Sequence, residues 1–119
     1  MMLNLDERLR TICMALPESE EKPFGGHTAP TYRVRDKMFA MTTDGGARPE
    51  LWVKGAPGAQ QILVDSHPDR YFVPPYVGKS GWVGIWLDGE VDWDQVESLV
   101  RESYCLVAPK RLAMLVLPG

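Results

Sequence analysis

Five short strand-like segments succeed one another along this chain, and each stops at a turn signal. That succession constrains the fold more than any other feature. A period of two puts alternate side chains on opposite faces of a strand. In residues 82–87, Val83, Ile85 and Leu87 oppose Trp82, Gly84 and Trp86. In residues 31–35, Tyr32 and Val34 oppose Arg33 and Arg35. Residues 38–42 follow across Asp36-Lys37, so the two segments read as a hairpin. Residues 50–54 set Leu51 and Val53 against Trp52 and Lys54, and residues 71–73 end at Pro74-Pro75. Asp44-Gly45-Gly46, the hairpin turn Gly78-Lys79-Ser80-Gly81 and Asp88-Gly89 are further turn signals. Strands joined by tight turns pair antiparallel.

Helices bracket and interrupt these strands. Asn4 and Glu7 are spaced as a capping box, and Leu5, Leu9, Ile12, Cys13 and Leu16 form one apolar stripe before Pro17. Residues 18–27 are charged and then glycine-rich, which predicts a loop. Pro57 opens a short helix with Ala59, Ile62 and Leu63 on one side, and His67-Pro68 ends it. Asp92 with Gln95 starts a longer helix whose buried side carries Trp93, Val96, Leu99, Val100, Tyr104 and Val107, up to Pro109. The apolar tail after Lys110 reads as a short helix or an extended arm. Helices segregated to one face of an antiparallel sheet make an α+β domain.

A length of 119 residues fits one compact domain, spanning 1–119, that needs no disulfide or metal to bury its core. Cys13 and Cys105 fall at apolar positions of helices and read as buried free thiols, so a cytoplasmic location is expected. No apolar run is long enough to span a bilayer, and no membrane partner is expected. The formal net charge of −3 argues against a strong non-specific polyanion binder, while leaving room for a local basic patch.

Three blocks of sequence carry a resemblance. FGGHTAPTYRVRDKMFAM, HPDRYFVPPYVGKSGWVGIWLDG and VDWDQVESLVRESYCLVAPKRLA stand in this order. Together they resemble the MmcQ/YjbR family over nearly the whole chain. The resemblance implies a small cytoplasmic α+β domain of the YjbR/CyaY-like type, with helices on one side of an antiparallel sheet. It also implies a DNA-binding role, and it brings no catalytic residues with it.

The residues themselves point away from catalysis. The two histidines, His27 and His67, are distant in sequence, and no metal-binding spacing is present, so no metal or cofactor is expected. Gly78-Lys79-Ser80 lacks the upstream glycine of a phosphate-binding loop. Ser80 and Ser103 sit in no nucleophile-elbow pattern.

A binding surface is the stronger expectation. If helices cover the face bearing Tyr32, Val34, Leu51, Val53, Val83, Ile85 and Leu87, the other face carries Arg33, Arg35, Trp52, Lys54, Trp82 and Trp86. Gly84, between two tryptophans, would leave room for something flat. The first expectation is a monomeric, non-enzymatic domain that binds DNA through Arg33, Arg35, Lys54, Lys79, Lys110 and Arg111, with Arg70 adding contacts at the edge. The alternative is a module that binds a planar or anionic small molecule in a pocket of Trp52, Phe72, Tyr76, Trp82 and Trp86. Equally, the strand aromatics could simply be packed, and Arg33 and Arg35 solvated or paired with Glu18, Glu20 or Glu21.

Overall fold

The computed structural model describes residues 4–23, 29–43 and 48–116. The turn expected at Asp44-Gly45-Gly46 and the residue His27 lie outside them. Among the described residues six strands form one sheet: β1 (Ser19–Pro23), β2 (Pro30–Val34), β3 (Lys37–Thr42), β4 (Glu50–Lys54), β5 (Tyr71–Phe72) and β6 (Trp82–Trp86). Their order is β1-β2-β3-β4-β6-β5, and every neighbouring pair is antiparallel. The helices among the described residues are α1 (Leu5–Met14), α2 (Ala59–Ser66), α3 (Trp93–Val107) and α4 (Lys110–Val116). This is the α+β architecture that the alternation predicts.

The helix starts are local chemistry. The Asn4 side chain accepts the Glu7 N–H at 2.8 Å and donates to the Glu7 carboxylate at 3.1 Å. Asp92 accepts the Gln95 N–H at 3.2 Å. Both satisfy a donor that the first helical turn leaves without an intrahelical partner.

The core lies on one face of the sheet. Leu9, Cys13 and Leu16 at the α1 end, Val96, Val100 and Tyr104 of α3, and Leu112 and Val116 of α4 pack with Tyr32, Val34, Leu51, Val53, Val83, Ile85 and Leu87 of the sheet. The alternation groups these strand residues on one face, and the structure shows that this is the face the helices cover. Each buried aliphatic or aromatic side chain of this kind stabilises the fold by roughly 1.5–3 kcal/mol. The tail after Pro109 is a helix packed on α3, and its Leu112 and Val116 join this core.

Two local expectations change. Residues 19–23, expected in a loop, form the edge strand β1. Its side chains are mostly exposed and charged, so no apolar alternation marks it; charge on an edge strand discourages pairing with a second chain. Cross-strand bonds hold it instead: Thr31 Oγ1 donates to the Lys22 carbonyl at 2.7 Å, and the Tyr32 hydroxyl donates to Glu21 at 2.8 Å. Second, Gly78–Ser80 is a 3-10 turn inside a longer β5–β6 connection.

A buried serine closes the sheet onto α3. The β3–β4 ladder ends at the Ala40/Val53 pair. One step further the Ser103 hydroxyl inserts, donating to the Phe39 carbonyl at 2.6 Å and accepting the Lys54 N–H at 2.9 Å. The helix thus completes the ladder where the strands diverge.

Candidate nucleic-acid interface

Antiparallel topology sorts the charges of this chain. At one end of the sheet β2 stops, β3 starts, β4 stops and β6 starts. Arg35 and Lys37 flank the β2–β3 turn there, and Lys54 ends β4. Lys79 sits in the 3-10 turn just before β6. The same end receives the close of α3, because Ser103 bonds to Phe39 and Lys54. Lys110 and Arg111 follow at the start of α4, with Arg111 near enough to Glu18 to help lower its pKa. The opposite end gathers Glu50, Asp88, Glu90, Asp92 and Asp94, together with Asp6 and Glu7 at the start of α1, where Arg8 lies 4.6 Å over Trp93. A chain of net charge −3 therefore has one basic end and one acidic end.

Partners differ among the cations. Arg35 is held by Glu18 through two contacts, at 2.6 and 3.2 Å, and Asp36 is reached by Lys22 at 3.3 Å. The Arg35 guanidinium draws the Glu18 carboxyl below the usual carboxylate range. Among the described residues, Lys37, Lys54, Lys79, Lys110 and Arg111 have no carboxylate within 4.0 Å. Lys54 and Lys79 line one open groove of about 570 Å³ between the α2 approach and the 3-10 turn. Arg33 stands apart on the sheet face, half-buried, with Nε donating to Thr31 Oγ1 at 3.3 Å. Arg70 belongs to the acidic end. Its guanidinium donates to the carbonyls of Trp86, Asp88 and Glu90 at 2.7, 3.1 and 2.9 Å, so it braces a turn and is not an edge contact for phosphate.

The aromatic face is packed against itself. Trp52 pairs with Gly84, which pairs with Phe72, so the three form one row across β4, β6 and β5. The room over Gly84 exists, and the Phe72 ring occupies it. Phe72 also stacks on Trp86, with centroids 4.2 Å apart and planes tilted by 30°. The Arg48 guanidinium lies 4.0 Å over Trp86 and is fixed by two bonds to Asp88, at 2.9 and 3.0 Å. Trp52 donates its indole N–H to Glu50 at 2.9 Å. Trp52 and Trp82 are only 8% and 7% exposed. Tyr76 is separate from this cluster in character: it is 87% exposed.

Sequence reasoning passed over Lys37 as a turn residue. Strand-end bookkeeping would have placed it, since the first residue of β3 must share an end with the last residue of β4. The exposure of Tyr76 carries no comparable signal in the sequence.

Residues 14–106 match the YjbR family. The chain belongs to the YjbR family. It is 32% identical to the uncharacterized protein YjbR of Escherichia coli K12 over 94 residues, covering 77% of each chain. The same identity and coverage hold for YjbR of Escherichia coli O157:H7. The crystal structure of Deinococcus radiodurans protein DR2400, with its DUF419 domain, superposes with a TM-score of 0.77 at 28% identity, covering 92% of this chain and 86% of that one. Arg33, Arg35, Lys54, Tyr76 and Lys79 fall within the family match, whereas Lys110 and Arg111 lie just beyond it. Among the described residues of this YjbR-family chain, no helix is long and apolar enough to cross a membrane.

Proposed function

We propose that this chain is a non-enzymatic binding domain that docks the sugar-phosphate backbone of nucleic acid, DNA in the first instance, on its basic end. One observation carries this reading: Lys54, Lys79, Lys110 and Arg111 share an end of the sheet and have no close carboxylate among the described residues. Unpaired cations at one end attract phosphates, and the acidic end turns the molecule so that this end meets them. Arg35 contributes less than its position suggests, because Glu18 already neutralises it. Packing of the tryptophans favours this reading over a ligand cavity built from them. A cytoplasmic location belongs to the same proposal, supported by the free thiols of Cys13 and Cys105.

The test is fluorescence anisotropy of labelled DNA at two salt concentrations. Binding should be saturable and weaken steeply with salt, through release of counterions. Lys54→Glu with Lys79→Glu, and Arg111→Glu separately, should weaken binding to every sequence. Each should also reduce the slope of log affinity against log salt by about one per lost phosphate contact. Absence of saturable binding at low salt by the folded protein overturns the proposal, as does binding that ignores these charge reversals.

A further inference from the structure

Tyr76 is more exposed than any other large apolar side chain among the described residues. Its backbone is also in the left-handed region, at φ +66°, which a bulky L-residue rarely adopts. Such a conformation persists only where the surroundings over-determine it. Here they do. Pro74 is buried, and the Val77 N–H bonds to the Pro75 carbonyl at 2.7 Å. Gly78 packs so closely on Val73 that an added Cβ would come within 2.5 Å of it. The Gln60 amide donates to the carbonyls of Gly78 and Trp82 at 2.6 and 2.7 Å, tying the connection to α2. A fixed frame thus holds one aromatic ring out in water.

Two residues further on, Gly78 and Lys79 enter the wall of the groove that also contains Lys54. That groove is lined by two lysines and two glutamines and by no carboxylate. An exposed aromatic ring two residues along the chain from the wall of a cationic groove suits a base and its adjoining phosphate. The other large rings of this surface are already occupied by one another, by Gly84 and by Arg48.

We infer that Tyr76 is a stacking residue for an unpaired base of a single-stranded nucleic acid, with an adjoining phosphate held between Lys54 and Lys79. The inference rests on the nucleic-acid reading and sharpens it. Bases inside a duplex already stack on one another, so a protruding ring gains a partner only on a single strand.

The experiment compares a labelled single-stranded oligonucleotide with a duplex of the same length, at one salt concentration, across four proteins. Tyr76→Ala should weaken single-strand binding by about 5- to 150-fold, the range of one base stacked on an aromatic ring. Duplex binding should change less than about twofold, because phosphate contacts alone serve it. Tyr76→Phe should retain binding. Tyr76→Gly should lose it while the thermal midpoint stays level or rises, since glycine accepts φ +66° without strain; a merely structural tyrosine would instead lower that midpoint. If Tyr76→Ala leaves single-strand binding intact, or weakens single strand and duplex alike, the stacking role is wrong while the basic end stands. If neither nucleic acid binds the wild-type protein at low salt, the nucleic-acid reading itself falls, and the stacking role with it.

Discussion

The Phe72 ring lies directly over Gly84, in the space that a β-carbon at that position would fill. The two residues are register partners across β5 and β6, so the close approach is built into the ladder. The flat group that Gly84 admits is therefore intramolecular. Gly84→Ala must push Phe72 off Trp86 and should destabilise the protein by about 1–3 kcal/mol, the usual penalty of overpacking. Adding Phe72→Ala should recover much of that loss relative to the sum of the single variants. Urea unfolding of the four-member cycle measures it, and strict additivity would mean the ring and the glycine do not meet.

Ser103 links the Phe39 carbonyl to the Lys54 N–H at the end of the β3–β4 ladder. Ser103→Ala leaves a donor and an acceptor facing a methyl group. The expected loss is about 1–3 kcal/mol, the cost of unsatisfied buried polar groups. Hydrogen exchange at the Lys54 amide should accelerate more than at Val53, which keeps its place in the ladder. Equal acceleration at both would show that the helix simply detaches.

Cys13 gives the protein an alkaline weakness. Burial, followed by the charge of Glu21, pushes its thiol up to about 12. An unfolded thiol ionises near pH 8.5. With the folded value raised, stability from this group is complete below pH ~8.5 and falls as pH climbs toward the folded value. Urea midpoints should therefore decline between pH ~8.5 and ~10, before tyrosines begin to ionise in the unfolded chain. Cys13→Ala should make that decline shallower, leaving the part that the Cys105 thiol, also raised by burial, contributes, at some cost in absolute stability from lost packing. A decline of the same steepness in the variant would assign it to another group.

Arg70 and Lys79 should separate stability from binding. Arg70→Ala strips donors from three carbonyls of the 86–90 turn and should lower stability by about 1–3 kcal/mol. Nucleic-acid affinity should not change with it. Lys79→Ala, in the exposed 3-10 turn, should do the reverse, with stability altered by less than about 0.5 kcal/mol. Thermal melts and anisotropy on the same two proteins check both halves; an affinity loss in the Arg70 variant would move the interface toward the acidic end.

What the sequence alone determined is everything that rests on period and punctuation. A period of two puts Tyr32, Val34, Leu51, Val53, Val83, Ile85 and Leu87 on one common face of the sheet, and only the packing of the helices decided that this face is the covered one. Asn4 and Asp92 announce the helices they cap through contacts only three residues long. Residues 19–23 stayed illegible because an edge strand owes its form to a neighbour's hydrogen bonds and leaves no apolar imprint. Tertiary structure alone decided that Phe72 fills the gap over Gly84, that Arg70 turns to three carbonyls, and that Arg35 is claimed by Glu18, 17 residues away. It also decided that cations spread from Arg35 to Arg111 share one end of the sheet. Charge carries no periodic signature along a chain, and strand order, which places each strand end in space, is set by long-range pairing that local patterns do not encode.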